Sequence, residues 1–120
     1  MTNSKSLFTL GLALSCAAVT FGLTVCPQGG TDGISPSGTL ALDASGSLYG
    51  TTSGGGEIQN AGIVFKIDSS GDETVLHRFN LLDQGTNPRA GVILGADGNL
   101  YGTTTYGGQR GGGVVFKLVL

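Results

Sequence analysis

The sequence predicts an all-β fold of about two four-stranded antiparallel sheets, the second one incomplete, behind an N-terminal leader helix. The segment Leu-Tyr-Gly-Thr-Thr at residues 48–52 occurs again at residues 100–104, 52 positions later. Short β-branched and aromatic runs alternate with turns that contain Asp and Gly. Because repeats of about 50 residues are typical of propeller blades rather than of helical solenoids, we interpret each copy as one propeller-type blade.

The two copies remain aligned well beyond this segment. The 52-residue offset also joins Pro36 to Pro88, Leu42 to Leu94 and Gly46 to Gly98. Downstream, residues 62–67 match residues 113–118 at an offset of 51, so one residue is lost between the two markers. Insertions and deletions are tolerated mainly in loops. We therefore predict that residues 54–61 and 106–112 form loops.

Residues 1–25 predict a secretory signal peptide. Lys5 is the first charged residue and Asp32 is the next, and the run between residues 7 and 25 is apolar apart from small polar residues and glycines. This order is typical of a secretory leader, and small residues at 15–18 allow cleavage after Ala17 or Ala18. Two alternatives are an uncleaved membrane anchor, for which the run is barely long enough, and a lipid-modified Cys16. Membrane contact is expected only through this leader.

The mature part is predicted to contain a linker at residues 26–38, a first repeat at 39–80 and an incomplete second repeat at 81–120. Cys16 and Cys26 are the only cysteines, so a disulfide framework is excluded and Cys26 is expected to be a lone thiol. The net charge of −2 and the lack of any Lys or Arg cluster argue against a nucleic-acid partner. The 23 glycines are interpreted as turn and loop positions.

The first repeat is predicted to form four strands, at residues 39–43, 48–52, 63–67 and 73–79. In the last of them, alternation places Val75, His77 and Phe79 on one face and Leu76 on the other. The turns at residues 43–46 and 68–71 share the pattern Asp-x-x-Gly. The Asp side chain can accept backbone N–H groups two residues on, and Gly allows a positive φ.

The second repeat follows the same order, with strands predicted at residues 91–94, 100–104 and 114–119. Asp97-Gly98 is a strong hairpin signal between the first two of these. No counterpart of residues 73–79 follows, and residues 118–120 are predicted to be an apolar strand end without a partner. Since a closed propeller has typically 4–8 blades, we expect the chain to be part of a longer repeat protein or to share blades between copies.

The repeated pattern resembles the GloVer (Gloeo/Verruco) tandem repeat over residues 30–120. It reads Asp-x-x-Gly-x-Leu-Tyr-Gly-Thr-Thr, a Gly-rich loop, Gly-x-Val-Phe-Lys-Leu and then Asp-x-x-Gly-x-x-x-x-Leu-x-x-Phe. Asn87-Pro88 and Ser35-Pro36 resemble the linker between units of that family. The resemblance implies an exported or surface bacterial protein built of tandem, propeller-like β repeats. It implies no established activity.

Three sets of residues are weighed as sites. Tyr49 and Tyr101 are candidates for an aromatic shelf for a sugar, but packing between blades is the favoured interpretation. The threonine pairs at 51–52 and 103–104 are interpreted as strand residues, because no base stands beside them in the sequence. The glycine runs at 54–56 and 111–113 are interpreted as flexible loops, because neither a helix nor a P-loop Lys follows them.

His77 and the turn carboxylates Asp43, Asp68 and Asp97 are the remaining candidates. A single His with no second ligand nearby is a poor metal site. Calcium requires 6–8 clustered oxygen ligands, whereas each Asp belongs to a different hairpin and has a local turn role. We therefore predict no catalytic, cofactor or metal site.

These observations favour a structural or binding module at the cell surface over an enzyme. The expected partners are other repeat-containing chains, a second copy of this chain, or a surface glycan. The alternative is a fragment of an extracellular propeller enzyme, such as a lyase or lactonase. Such an enzyme requires His or carboxylate side chains that converge from several blades.

Overall fold

A computed structural model describes residues 33–56, 60–81 and 85–120 of the chain. These residues are all-β and form two antiparallel sheets. The first sheet contains β1 (Gly33–Leu42), β2 (Leu48–Gly55), β3 (Ile63–Ile67) and β4 (Glu73–Arg78), in that order. The second contains β5 (Val92–Leu94), β6 (Leu100–Thr103) and β7 (Val115–Leu118), again in order.

The predicted leader at residues 1–25, its helix and Cys26 lie outside the described residues. Within the described ranges, no helix is long and apolar enough to cross a membrane.

The Asp-x-x-Gly turns close the hairpins as predicted. Oδ1 of Asp43 accepts the backbone N–H groups of Ser45 and Ser47, both at 2.9 Å. Gly46 follows the Asp with a φ of 87°. Asp68 repeats these contacts with the N–H groups two and four residues on, at 2.9 and 3.0 Å. The turn is therefore held by one carboxylate oxygen, and the positive φ explains the glycine.

The first two strands are longer than predicted. β1 begins at Gly33 and not at residue 39, so residues 33–38 of the predicted linker are part of a strand. They pair with the far end of β2, where Gly33 lies opposite Gly55 and Pro36 opposite Thr52. Residues 54 and 55, predicted as loop, consequently belong to β2. Gly, Ser and Pro disfavour strands, but an edge strand tolerates Pro36 because one side of β1 needs no N–H donor.

The other strands differ from their predicted bounds by at most one residue at either end. Residues 106–112 lie outside the named strands, as predicted. The apolar end at residues 118–120 differs in part from the prediction: Val119 and Leu120 are exposed, but Leu118 pairs with Leu100 and the Leu120 N–H donates to Oδ1 of Asn99 at 3.3 Å.

The predicted faces of β4 are wrong. Its pairing with β3 contains a bulge, because Val64 lies opposite His77 while Phe65 lies opposite Val75. The extra residue, Leu76, breaks the simple alternation of side chains. As a result Val75 packs with Phe65 on one face of the sheet, whereas Leu76 and Phe79 join the core on the other face.

The first sheet is apolar on both faces. One face carries the buried side chains of Ile63, Phe65 and Ile67, with Leu48 and Val75 packed against them. The other face carries Tyr49 and Val64 and packs against the second sheet. The second sheet contributes the buried residues Val92 and Leu100 and the partly buried residues Leu94, Phe116 and Leu118. This interface joins the two repeats into one core.

The segment before β5 fixes the second sheet on the first. The Asn87 N–H donates to the Ala61 carbonyl, and the Asn87 side-chain amide donates to the Ser53 carbonyl, each at 2.8 Å. The Asn87 carbonyl in turn accepts the Thr105 hydroxyl at 2.9 Å. Asn87 has a φ of 56° and is followed by the buried Pro88. One residue thus bonds to both repeats.

Substitution of one valine in each repeat tests the interface. Val64 and Val115 occupy equivalent repeat positions, but Val64 is 0% exposed and Val115 is 80% exposed. We expect Val64→Ala to lower the free energy of unfolding by about 2–3 kcal/mol, because it removes two buried carbons and leaves a cavity. The matched Val115→Ala should cost under about 1 kcal/mol. Urea denaturation measures both, and equal losses would contradict the packing of the sheets.

Two variants of Asn87 test how this residue connects the two repeats. Asn87→Gly removes the bond to Ser53 but keeps the positive φ, so we expect a loss of about 1 kcal/mol. Asn87→Ala removes the same bond and keeps a Cβ at a positive φ without the polar side chain that lets Asn tolerate this region, so its loss should exceed that of the Gly variant by about 1–2 kcal/mol. Thermal denaturation of the two variants under the same conditions shows which of them is less stable. An Ala variant that is as stable as the Gly variant would show that the backbone does not need this conformation.

Candidate functional site

A groove lies between the two sheets. Its volume is about 370 Å³, and its walls are Val64, His77 and Phe79 of the first sheet and residues 114–118 of the second. The rings of Phe79 and Phe116 meet edge to face across it, with centroids 5.1 Å apart. His77 stacks edge-on against Phe79 at 4.9 Å. The groove is therefore apolar and partly aromatic, with one imidazole in its wall.

The groove runs along the edge of β7. Successive residues of a strand point to opposite faces of the sheet, so a pocket above one face contacts every second residue. Five consecutive residues, 114–118, line this groove. It must therefore reach the backbone at the side of the strand. Such an edge presents N–H and C=O groups that can pair with another chain.

The outer face of the second sheet is a second exposed apolar surface. Ile93 is 69% exposed and Val115 is 80% exposed, and both line a shallow hollow of about 260 Å³ that includes Tyr101. In the first sheet the positions equivalent to Val115 and Tyr101 are Val64 and Tyr49, which the second sheet buries. The same repeat face is thus covered in one unit and open in the other.

Each tyrosine of the repeat bonds to the carboxylate of its own turn. The Tyr49 hydroxyl donates to Oδ2 of Asp43 at 2.9 Å, and the Tyr101 hydroxyl donates to Oδ2 of Asp97 at 2.7 Å. Lys117 Nζ lies 3.0 Å from the same oxygen of Asp97 and 5.5 Å from the centroid of the Tyr101 ring. These pairs were not predicted from the sequence. The signal was a Tyr placed six or four residues after the turn Asp.

Hydrogen bonds hold these carboxylates in the charged form. The Ser45 hydroxyl, followed by the Ser47 N–H and the Tyr49 hydroxyl, lowers the pKa of Asp43 to about 2. The Tyr101 hydroxyl, with Asn99 and Lys117, lowers the pKa of Asp97 even further. Asp97 in turn raises the pKa of Lys117. Burial, with the neighbouring Asp43 carboxylate, raises the pKa of Tyr49. The shifts of the two carboxylates thus follow mainly from hydrogen bonds to their own turns and to the neighbouring tyrosine.

The two tyrosines do not form a shared shelf. Tyr49 is 4% exposed and lies between the sheets, in the packing role that the sequence favoured. Tyr101 lies on the outer face of the second sheet, with the Lys117 ammonium near its ring. A sugar that stacked on Tyr101 would have to move that side chain.

The second threonine of each pair closes a loop. Thr52 Oγ1 donates to the Gly54 carbonyl at 2.7 Å and accepts the Ile63 N–H at 3.3 Å. Thr104 repeats both contacts, with the Tyr106 carbonyl at 2.9 Å and the Val114 N–H at 3.1 Å. In each repeat this hydroxyl accepts a backbone N–H at the beginning of the third strand. The glycine runs adjoin the same loops, and residues 54 and 55 of the first run are buried strand residues.

The remaining candidates stay apart. Asp43, Asp68 and Asp97 each serve their own turn. In residues 33–56, 60–81 and 85–120, no three His, Cys, Asp or Glu side chains are grouped so as to hold a metal ion. His77 lines the groove between the sheets.

Taken together, the geometry defines an all-β repeat module whose exposed features are a strand edge and a sheet face. The sequence model of the Gloeobacter/Verrucomicrobia repeat family matches residues 2–120. The chain therefore belongs to this repeat family, in agreement with the resemblance of its motifs. No curated protein and no solved structure matches the chain significantly.

Acid titration tests the turn carboxylates. The pKa of Asp43 is about 2 in the folded protein, below its ordinary value of 3.8, so its charged form favours folding. That contribution is complete above about pH 4 and disappears as the pH falls towards about 2. We expect the melting temperature to fall in this window. In Asp43→Asn, which keeps an acceptor oxygen but cannot titrate, the fall should be smaller. Superimposable pH profiles would contradict the role of the carboxylate.

Proposed function

We propose that this protein is an exported structural and binding module, built of propeller-type blades, that binds other proteins through the exposed sheet face and strand edge of its second repeat. One observation carries the proposal. Val64 is 0% exposed and Val115 is 80% exposed, although the two residues hold the same position in the repeat. The surface that joins the two repeats is therefore offered again, uncovered, by the second repeat. Exposed apolar patches of this kind mark interaction sites.

The groove between the sheets is a second candidate binding surface. It places apolar side chains of the first sheet next to the open edge of the second sheet. Two of the polar side chains that line these surfaces, Tyr101 and Lys117, are bonded to the turn carboxylate of Asp97. A role in binding accounts for these features better than catalysis does.

A protein partner is favoured over a glycan. The ring of Tyr101 faces the Lys117 ammonium at 5.5 Å, and its hydroxyl bonds to Asp97, so its polar and aromatic groups are already engaged. The open face otherwise offers Ile93 and Val115, which suit an apolar protein surface. Binding on a glycan array would instead favour the sugar.

Export is proposed from the leader pattern of residues 1–25. We expect the full chain, produced in a bacterial host with two membranes, to be found outside the cytoplasm. Its mass should correspond to cleavage after Ala17 or Ala18, because these sites follow the apolar run with small residues at the required positions. Cell fractionation and intact mass spectrometry provide the measurement. The control variant Leu14→Arg interrupts the apolar run and should keep the chain in the cytoplasm at full mass.

Two results would separate the alternatives. A mass increased by a lipid on Cys16 would retain export and identify the mature protein as a lipoprotein. Full-length wild-type protein in the cytoplasm, indistinguishable from Leu14→Arg, would overturn the export proposal.

A further inference from the structure

The two sheets differ beside their third strands. β3 pairs with β2 on one side and with β4 on the other. β7 holds the position of β3 in the repeat, but in the described residues it pairs with β6 alone. We propose that this edge of β7 is a docking site for an extended segment with the sequence pattern of β4, supplied by another repeat-containing chain. The inference rests on the proposed binding function and names its partner and its mode of binding.

The backbone of β7 is oriented for this pairing. The Thr104 N–H donates to the Val114 carbonyl at 2.9 Å, and Phe116 lies opposite Gly102 in the ladder with β6. In an antiparallel pair the residues that bond to one neighbour alternate with those that face away. Val115 and Lys117 therefore direct their N–H and C=O groups away from β6, towards the groove.

The first repeat shows the same arrangement with its fourth strand in place. Val64 and Lys66, the equivalents of Val115 and Lys117, lie opposite His77 and Thr74 of β4. Just before them, the Gly62 carbonyl accepts the Phe79 N–H at 3.0 Å. A β4-like segment beside β7 would thus meet the backbone groups that β4 meets beside β3.

The side chains identify the occupant as apolar where it faces the core. In the first sheet Val75 of β4 completes a cluster with Leu48, Ile63, Phe65 and Ile67. Four counterparts of that cluster exist in the second sheet, namely Leu100, Val114, Phe116 and Leu118. Phe65 is 0% exposed, whereas its counterpart Phe116 is half-buried and lines the groove. The position that corresponds to Val75 lies at the groove.

The first sheet supplies the other wall of the site. Val64 and Phe79 line the groove opposite β7, and Phe79 contacts Phe116. A strand added to β7 would lay its Val75-like side chain against these rings. Main-chain hydrogen bonds would provide affinity, and the apolar position would provide specificity. Other cases of strand addition to a sheet edge work in the same way.

A labelled peptide tests the proposal directly. The probe is a fluorescent peptide with the sequence of residues 72–80, titrated with the full chain and followed by fluorescence polarisation. We expect saturable binding. A peptide with Val75→Asp, which puts a carboxylate against the apolar wall, should bind at least about tenfold more weakly. A peptide N-methylated at the His77 nitrogen should lose a similar factor, because it cannot donate to β7.

Variants of the protein locate the edge. Val115→Pro removes the N–H that faces the groove and should weaken binding about tenfold, whereas Val115→Ala keeps that N–H, loses only apolar side-chain contact and should weaken binding by a clearly smaller factor than the Pro variant. Circular dichroism verifies that both variants are folded. If the Pro variant does not fold, the N-methylated peptide tests the same bond on unaltered protein.

Several outcomes would overturn the proposal. They are the absence of saturable binding to folded protein, equal binding of a scrambled peptide, and equal binding of the N-methylated peptide. If the chain self-associates without peptide and the amides of Val115 and Lys117 are then protected from hydrogen exchange, the occupant of the edge is a second copy of this chain and the proposed partner is wrong. The export assay is independent of all of these, so failure of docking is distinguishable from failure of the proposed function.

Discussion

The structure depends on the burial of an apolar face of one sheet by the sheet that follows it. The first sheet is apolar on both sides, and its Val64 and Tyr49 side receives Leu100 and Phe116 of the second sheet. Full burial of a Val or Leu side chain stabilises the fold by about 1.5–3 kcal/mol. The strands are short, and the described ranges contain no helix. The association of the sheets is thus what makes the two repeats one folded unit.

The turns connect local sequence to this packing. A carboxylate such as Asp43 holds its own hairpin and also accepts the hydroxyl of Tyr49, whose ring lies in the core between the sheets. Asp97 does the same for Tyr101 and adds Lys117 of the third strand. In both repeats the turn, the second strand and the face of the sheet are therefore positioned by one side chain. This explains why the Asp and Tyr occur together in each copy although their spacing differs.

Repetition of the unit also explains where the binding surfaces lie. A repeat that is followed by another repeat has the shared face covered, as the Val64 face of the first sheet is covered by the second sheet. Among the described residues the second repeat packs against a sheet on one side only, and the edge of β7 and the face around Val115 are exposed. The candidate site is consequently a property of the stack of repeats and not of a cluster of reactive side chains. No motif search for catalytic residues would find it.

The parts that sequence analysis predicted are those set by short-range patterns. The strand at Ile63–Ile67, the Asp-x-x-Gly turns and the repeat itself follow from local residue types. The early start of β1 does not, because its Gly, Ser and Pro residues become a strand only through pairing with β2. The faces of β4 were wrong for a related reason: one bulged residue reverses the alternation, and nothing in residues 73–79 reveals it. The tyrosine partners were likewise missed, since only folding brings Tyr49 back to Asp43.

The sequence by itself determined the family, the repeat length, the turns and most of the strands, because these depend on residues that are neighbours along the chain. The tertiary structure alone decided which faces are buried, how Asn87 joins the repeats and where the groove opens. These features arise from contacts between residues that are far apart in the sequence. The bond from Asn87 to Ser53, for example, spans 34 positions. Packing of whole sheets selects among such contacts, and a local pattern carries no information about that choice.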